Sequence, residues 1–197
     1  MSRRRACART RGIAVLLLLQ QLASVRSACW ITPDADGHVD VPYGTTSIGS
    51  NAFSSCSSLK SISLPETITS IASQAFQYSG IRSVSLPDSL TDIGSYAFEQ
   101  TGLVNITFYE TGNAAATLSI EQAAFSNCGS LESITFPPSL TSIGQAVFMS
   151  TSSLISITFN EASNAAATLS IGTSHQTWMA GSESVEGTGH VARVKRL

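Results

Sequence analysis

Three histidines and many serine and threonine residues are the side chains of this sequence with the potential for hydrolytic chemistry. A serine nucleophile needs a neighbouring base and an orienting group. The histidines are His38, His175 and His190, and none lies inside a complete unit of the repeat described below. No Gly-x-Ser-x-Gly elbow occurs. We therefore expect surface or capping histidines, no catalytic residues and no enzymatic activity.

The sequence also predicts no metal and no cofactor. It contains no His-Glu-x-x-His pair, no paired Cys-x-x-Cys, no calcium-loop pattern and no phosphate-binding glycine loop. The sequence patterns that usually hold a metal ion or a phosphate-bearing cofactor are thus absent from the sequence.

The cysteine positions permit one disulfide but do not establish it. Cys56 and Cys128 occupy the same repeat position three units apart. At roughly 5 Å per stacked strand they would be about 15 Å apart, beyond disulfide reach, and both fit small buried hydrophobic positions. Cys29 is able to pair with Cys56 and so pin the N-terminal end, which an oxidising compartment would permit. Spacing alone does not decide this.

The N-terminal segment has the order of a secretory signal peptide. Five arginines between Arg3 and Arg11 precede the apolar run 13–19, and small residues follow it. We predict a signal peptide at residues 1–27 with cleavage after Ser27. The alternative, a buried N-terminal helix, would place five arginines beside a core.

Charge is distributed unevenly along the 197 residues. Eleven basic and thirteen acidic residues give a formal net charge of −2, but six of the basic ones lie at or before Arg26. Residues 28–197 therefore carry a formal charge of −8. This acidic chain argues against nucleic-acid partners. No run reaches the ~18 to 20 apolar residues of a spanning helix, so we expect no stable membrane insertion after signal cleavage.

The rest of the chain repeats one motif. An aromatic anchor recurs, and an aliphatic residue five or six positions later opens an alternating segment; these segments start 22, 22, 28 and 23 residues apart. Such a period predicts a solenoid whose units bury their apolar faces only against their neighbours. The predicted repeat core contains Phe53, Phe76, Phe98, Phe125 and Phe148.

Each unit reads as two short strands and a bend. The alternation of Leu59, Ile62 and Leu64 is typical of a strand with one buried face, and a proline then marks a corner. A second aliphatic pair follows, and glycines such as Gly94 are expected to permit a tight bend. The stretch before the aromatic residue, for example 50–54, is long enough for about one helical turn.

Four regions follow from this division. They are the signal peptide (1–27), an N-terminal cap region (28–37), the solenoid (38–172) and a C-terminal cap remnant with a polar tail (173–197). Trp178 is a candidate cap, and the tail from Gly181 is expected to be disordered because it is polar and lacks periodicity. Two similar insertions, 109–117 and 160–168, are expected to form protruding loops.

The repeat resembles a known family. The pattern Ala124-Phe125-x-x-Cys128-x-x-Leu131-x-x-Ile134-x-Phe136-Pro137, continuing through Leu140 to Val147-Phe148, is similar to the BspA-type leucine-rich repeat. The resemblance implies an α/β repeat fold, a curved leucine-rich-repeat solenoid of about five units of 22–28 residues with short parallel strands and short helical turns. It also implies a secreted or surface protein associated with adhesion and protein binding.

The outward strand positions form a candidate binding face rich in hydroxyl groups. Its predicted members are Ser61, Ser63, Arg82, Ser83, Ser85, Asn105, Thr107, Glu132, Ser133, Thr135, Ser156 and Thr158. The alternative is a merely solvated face, and a remote one is a flat surface that orders water or ice. Asn105 is also the acceptor of the single Asn-x-Ser/Thr sequon, a possible glycosylation site.

The sequence therefore predicts a secreted, non-enzymatic scaffold for protein–protein or cell-surface recognition and adhesion. The expected partner is an extracellular or cell-surface protein. The alternative is a truncated fragment of a longer repeat protein without an independent role, which the incomplete last repeat favours.

Overall fold

The computed structural model describes residues 29–109 and 117–158 with their side chains, and the backbone of residues 159–160, 170–171, 186–187 and 191–195. The predicted signal peptide, most of the two predicted loops, Trp178, His175 and His190 lie outside the described residues.

Two short strands alternate along each coil and form two faces. The front strands are β1 (His38–Asp40), β3 (Ser61–Ser63), β5 (Ser83–Leu86), β7 (Asn105–Phe108), β9 (Ser133–Phe136) and β11 (Ser156–Asn160). The back strands are β2 (Ser47–Ile48), β4 (Ser70–Ile71), β6 (Asp92–Ile93), β8 (Leu118–Ile120), β10 (Leu140–Ile143) and β12 (Ser170–Ile171).

Both faces stack in parallel from coil to coil. The back strands form one six-stranded sheet in the order β2-β4-β6-β8-β10-β12. The front face is divided: β1-β3-β5-β7 form one sheet and β9-β11 belong to another, with β7 and β9 in contact but unpaired. The break lies where the repeat lengthens to 28 residues. The predicted repeat architecture is thus confirmed as a parallel β-solenoid of about five coils with about 23 residues each.

Alternation along the strands sorts side chains between core and solvent. Ile62, Val84 and Ile106 point inward at aligned register positions and are buried. Their neighbours on either side are hydroxyl or amide residues that face outward. A short strand of this kind gains stability only by stacking, because each coil supplies one layer of the apolar core.

A ladder of phenylalanine rings runs through the core. The rings of Phe53, Phe76, Phe98, Phe125 and Phe148 stack nearly parallel, with successive centroid distances of 5.2, 4.9, 5.3 and 5.9 Å. All five side chains are buried. Offset stacking of aromatic rings adds to the hydrophobic gain from burying them, so the ladder ties each coil to the next.

The predicted helical turns are wrong, because the described residues contain no helix. On the third side of each coil, alternate N–H groups bond locally and to the next coil. Thus Ala52 N–H donates to the Gly49 carbonyl at 3.2 Å, whereas Phe53 N–H donates to the Ala75 carbonyl at 2.7 Å. A helix would direct all of these donors along its own axis. Bonding between coils replaces that pattern here.

Left-handed backbone at non-glycine residues accompanies this pattern. The described residues with positive φ are Asn51, Ser55, Gln74, Tyr78, Tyr96, Gln100, Ala123, Asn127, Ala146 and Ser150, all with φ between 52° and 60°. Each such residue costs roughly 1 to 2 kcal/mol relative to right-handed backbone. Hydrogen bonds between stacked coils and the buried rings offset this cost. A local sequence pattern therefore does not indicate which residues adopt the left-handed conformation.

The repeated glycine after the back strand serves close approach and not left-handed backbone. Among the described glycines, positive φ occurs at Gly37 and Gly44 alone. A Cβ atom on Gly94 would lie 2.6 Å from the Ser73 backbone nitrogen, and one on Gly144 would lie 2.6 Å from the Glu121 carbonyl carbon. The preceding coil therefore leaves no room for a side chain.

We expect Gly94→Ala to lower the free energy of unfolding by about 1 to 3 kcal/mol, because the backbone of the preceding coil would have to move. Gly49 is the matched control. It occupies the same position in the first coil, and nothing lies within 4 Å of a Cβ built there. Gly49→Ala should therefore be neutral or slightly stabilising in urea denaturation. Equal losses in the two variants would contradict this explanation.

A disulfide and an aromatic side chain cover the first coil. Cys29 and Cys56 are bonded, with their Cα atoms 5.2 Å apart. The pairing that the sequence left open is therefore formed, and the reading of Cys56 as a small unbonded hydrophobic residue is wrong. The Trp30 ring packs edge-on against Phe53 at 6.1 Å, and the Trp30 backbone N–H donates to the Ala52 carbonyl at 2.6 Å. Together these contacts extend the phenylalanine ladder into the N-terminal segment.

The C-terminal tail contributes strands where disorder was expected. β14 (Val191–Lys195) pairs antiparallel with β11, and β13 (Glu186–Gly187) pairs antiparallel with β14. The unpaired edge of a terminal strand attracts other strands, and covering it is a common protection. Within the tail, residues 186–187 and 191–195 thus form strands without an apolar period, because antiparallel pairing to an edge needs only backbone groups.

Candidate functional site

The outward positions of the front strands form two rows of polar side chains. Register aligns Ser61 with Ser83 and Asn105 in one row, and Ser85 with Thr107 in the other. Beyond the break, β9 and β11 align Ser133 with Ser156 and Thr135 with Thr158. We call this surface the front face. All ten predicted hydroxyl and amide positions on it are exposed or half-buried.

Two residues that the sequence analysis did not assign to this face begin its rows. His38 aligns with Ser61, and Asp40 aligns with Ser63. Their signal was present in the sequence, since Val39 and Val41 alternate with them as the apolar positions of a strand. The front face therefore starts with an ionisable pair.

His38 organises the hydroxyl groups beside it. Its Nδ1 lies 2.7 Å from Ser61 Oγ, and its Nε2 lies 2.9 Å from Ser63 Oγ and 3.2 Å from Asp40 Oδ1. In the tautomer protonated at Nε2, Nδ1 accepts the Ser61 hydroxyl proton while Nε2–H is shared by the two oxygens. Both serines are thereby held in fixed orientations.

Ser61 therefore has an imidazole within hydrogen-bond distance, which is one of the groups that a serine nucleophile needs. Acyl transfer also needs hydrogen-bond donors that are aimed at a developing oxyanion. The Ser61 N–H donates to the Gly37 carbonyl at 3.3 Å, as does the Lys60 N–H at 2.7 Å. These two amides are therefore engaged in hydrogen bonds between coils, and the cluster shown here orients the Ser61 and Ser63 hydroxyl groups.

The turn before β1 is held by a carboxylate. Asp34 accepts the backbone N–H of His38 at 2.8 Å and that of Asp36 at 2.9 Å. The hydrogen bond from His38, and to a lesser degree that from Asp36, holds the pKa of Asp34 below its ordinary value. This turn places the His38 backbone, and with it the imidazole, at the edge of the front face.

A pocket of about 240 Å³ lies on the front face between β3 and β5. Its lining residues are Ser61, Ile62, Ser63, Leu64, Ser83, Val84, Ser85 and Tyr109. The isoleucine, leucine and valine side chains point into the core, so polar contacts come from the four serines. Tyr109, directly after β7, is 50% exposed and supplies the aromatic wall. It lies at the start of a predicted loop and was not among the predicted binding residues.

The repeat pattern of residues 37–116 and 114–168 matches the BspA type leucine-rich repeat region, in six copies. The chain belongs to the BspA-type leucine-rich repeat family. No curated protein matches the chain.

Three solved structures are similar to this BspA-type chain. The pneumococcal vaccine antigen PcpA is 25% identical, with a TM-score of 0.49 over 65% of this chain and 42% of that one. A leucine-rich repeat protein from Bacteroides ovatus is 22% identical, with a TM-score of 0.36 over 67% of this chain and 44% of that one. A leucine-rich cell surface protein from Faecalibacterium prausnitzii is 19% identical, with a TM-score of 0.23 over 72% and 61%. This chain thus spans less than two thirds of each.

Arg82 and Glu132 lie at the corner that precedes the front strands of the BspA-type coils. The backbone connects this corner from coil to coil: Arg82 N–H donates to the Lys60 carbonyl, and Val104 N–H donates to the Arg82 carbonyl, both at 2.9 Å. Arg82 and Glu132 are both exposed, but the coil that contains Val104 separates them. The two predicted charged residues therefore share an edge without forming a pair.

Asn105 is exposed on β7 of the front face. The third residue of its sequon, Thr107, forms a 2.8 Å hydrogen bond with Ser85. The acceptor asparagine therefore lies within a paired strand. Its glycosylation remains a prediction.

The remaining described cysteine is a buried thiol. Cys128 Sγ lies 3.1 Å from the Phe98 carbonyl and 3.3 Å from Thr101 Oγ1. Burial raises the pKa of the Cys128 thiol, which therefore stays protonated and unreactive at neutral pH. This position in the BspA-type coil thus has a packing role.

The described residues hold no group of three or more histidine, cysteine or acidic side chains arranged to bind a metal ion. In the same part of the chain, no helix is long and apolar enough to cross a membrane.

Proposed function

We propose that this BspA-type chain is a secreted, non-enzymatic scaffold that recognises an extracellular or cell-surface protein through its front face. The observation that carries the proposal is the front face itself, a set of aligned polar positions that remains solvent-accessible across both front sheets. Stacked repeats present such surfaces rigidly, which reduces the entropy lost on binding.

The disulfide supports the extracellular location. Disulfides persist in oxidising compartments and are rare where glutathione keeps thiols reduced. Cys29 and Cys56 are bonded close to the N-terminal end of the described chain. This agrees with the proposed signal peptide at residues 1–27, which would direct the chain to that compartment.

The charge distribution supports a protein partner over nucleic acid or lipid. The formal charge of −8 over residues 28–197 repels phosphate backbones and anionic membranes. Lys60 and Arg82 are the only described basic residues other than those on β14. A partner therefore meets a mostly neutral hydroxyl surface with a few charges at its edge.

Charge reversal at that edge tests the proposal. The purified chain is immobilised and its binding to a panel of extracellular matrix proteins and intact cell surfaces is measured by interferometry and flow cytometry. We expect Glu132→Lys and Arg82→Glu to weaken the observed binding by about five- to ten-fold, mainly through slower association.

Asp92→Lys is the matched control, because Asp92 is also an exposed carboxylate but lies on β6 of the back sheet. It makes the same charge change as Glu132→Lys and should leave binding within about two-fold of the unmodified chain. Absence of binding to every surface tested, or equal loss in all three variants, would overturn a role for the front face.

A further inference from the structure

We propose that the pocket between β3 and β5 is a carbohydrate subsite that takes one uncharged pyranose ring. This inference deepens the proposed function and rests on it, since it assigns the front face a glycan on the partner as its ligand. The pocket, its fixed hydroxyl groups and Tyr109 carry the argument.

The size of the pocket fits one small polar ring. Its volume of about 240 Å³ corresponds to about eight waters at about 30 Å³ each. This is below the range of roughly 300 to 1,000 Å³ that drug-sized ligands occupy. A single sugar ring is a polar molecule of the appropriate size, and the rest of a glycan would extend along the open front face.

The hydroxyl groups of the pocket are oriented before any ligand arrives. His38 holds Ser61 and Ser63 from one side, and Thr107 holds Ser85 from the other. Within the described part of the chain, the Ser83 hydroxyl between them makes no side-chain hydrogen bond. Each serine oxygen has one donor and two acceptor positions, so even the bonded hydroxyls keep capacity for a ligand.

The lining favours a neutral polyol over an ion. No charged side chain is among the residues that line the pocket. A bound phosphate or ammonium group would have no oppositely charged side chain among the lining residues, which disfavours it relative to a neutral ligand. Sugar hydroxyls both donate and accept, and so they complement four serines in either direction.

Tyr109 supplies the apolar contact that a sugar also needs. It is half-exposed at the pocket wall. An aromatic side chain offers a flat apolar face together with a polar hydroxyl, and a pyranose ring likewise has a C–H face and polar edges. The combination of one aromatic wall and several fixed hydroxyls matches both parts of the ligand.

An extended peptide fits this site less well. Peptides that recognise sheets usually add a strand to an open edge through main-chain hydrogen bonds. The pocket lies instead on the face of β3 and β5, which are already paired with each other and with their neighbours on both sides. A peptide there would have no sheet backbone available for pairing.

The test uses the purified full chain on an array of neutral, sulfated and sialylated glycans, followed by calorimetry and saturation-transfer NMR with methyl pyranosides of glucose, galactose, mannose and N-acetylglucosamine. We expect at least one neutral glycan to bind and the free methyl glycoside to compete with it. Tyr109→Ala and Ser83→Val should each weaken binding by at least about ten-fold.

Two matched controls separate the pocket from the general surface. Tyr78 is 47% exposed and lies outside the pocket, and Ser47 is the exposed outward residue of back strand β2, on the side opposite the front face. Tyr78→Ala and Ser47→Val should keep binding within about two-fold of the unmodified chain. Circular dichroism confirms that all four variants are folded.

Three outcomes would overturn the subsite. They are binding of no neutral glycan, equal binding by Tyr109→Ala and the unmodified chain, and binding restricted to sulfated or sialylated glycans with steep salt dependence. Removing glycans enzymatically from a bound partner distinguishes the two proposals. If a partner still binds after deglycosylation, the carbohydrate subsite is wrong while recognition of a protein by the front face stands.

Discussion

Reducing the Cys29–Cys56 disulfide is expected to lower the free energy of unfolding by about 3.5 kcal/mol, the chain-entropy value for a closed loop of this length. The bonded residues are 27 positions apart and join the N-terminal segment to the first complete coil. Reduction frees that segment in the unfolded chain. It also weakens the hold on Trp30, whose ring covers Phe53 at the end of the ladder.

The measurement is urea denaturation of the chain with and without a phosphine reductant. Cys128→Ala is the first control, because it removes the buried thiol and should keep the full response to reductant. The double variant Cys29→Ala with Cys56→Ala is the second, and it should resemble the reduced chain and not respond further. If the urea midpoint of the unmodified chain did not change on reduction, the prediction would be contradicted.

Truncating the centre of the phenylalanine ladder is expected to cost more. Phe98→Ala should lower the free energy of unfolding by about 3 to 5 kcal/mol through lost burial and the cavity that remains. Phe98 is fully buried and stacks on Phe76 at 4.9 Å and on Phe125 at 5.3 Å. The variant therefore removes two ring contacts and interrupts the ladder in its middle.

Because a solenoid is nearly one-dimensional, this change has a second signature. Coils on either side of the cavity are in contact through the core layer that Phe98 fills. Weakening this layer should make unfolding less cooperative, which broadens the unfolding transition and lowers the denaturant m-value. Tyr43→Ala is the control, since Tyr43 is 86% exposed and should change stability by no more than about 0.5 kcal/mol. A Phe98→Ala loss below that of Gly94→Ala would show that the ladder is not the main link between coils.

The repeat core was open to prediction because it is local and recurs. Alternating Ile62 and Leu64 specify which strand face is inward. The recurring Phe53, Phe76 and Phe98 specify a shared layer, since equivalent residues of stacked coils must meet. The front face follows from the same alternation, although its function remains a proposal.

The conformation of the turns was not open to prediction in this way. A stretch such as 50–54 satisfies the length of one helical turn. The structure instead bonds Phe53 N–H to Ala75 of the next coil and accepts left-handed backbone at Asn51. That choice depends on hydrogen bonds between coils, which only stacking creates. The glycine positions show the same dependence, because the limit on Gly94 comes from the preceding coil.

By itself the sequence determined the parallel repeat, its buried aromatic layer and its outward rows of hydroxyl groups, because periodic residues make the same contacts in every coil. Only the tertiary structure decided the contacts between unlike parts. These are the Cys29–Cys56 bond, the pairing of β14 with β11, the His38 cluster and the position of Tyr109 beside Ser61 and Ser83. Each of these contacts occurs once, so no periodic sequence pattern predicts it, and each depends on distances that the folded coils set.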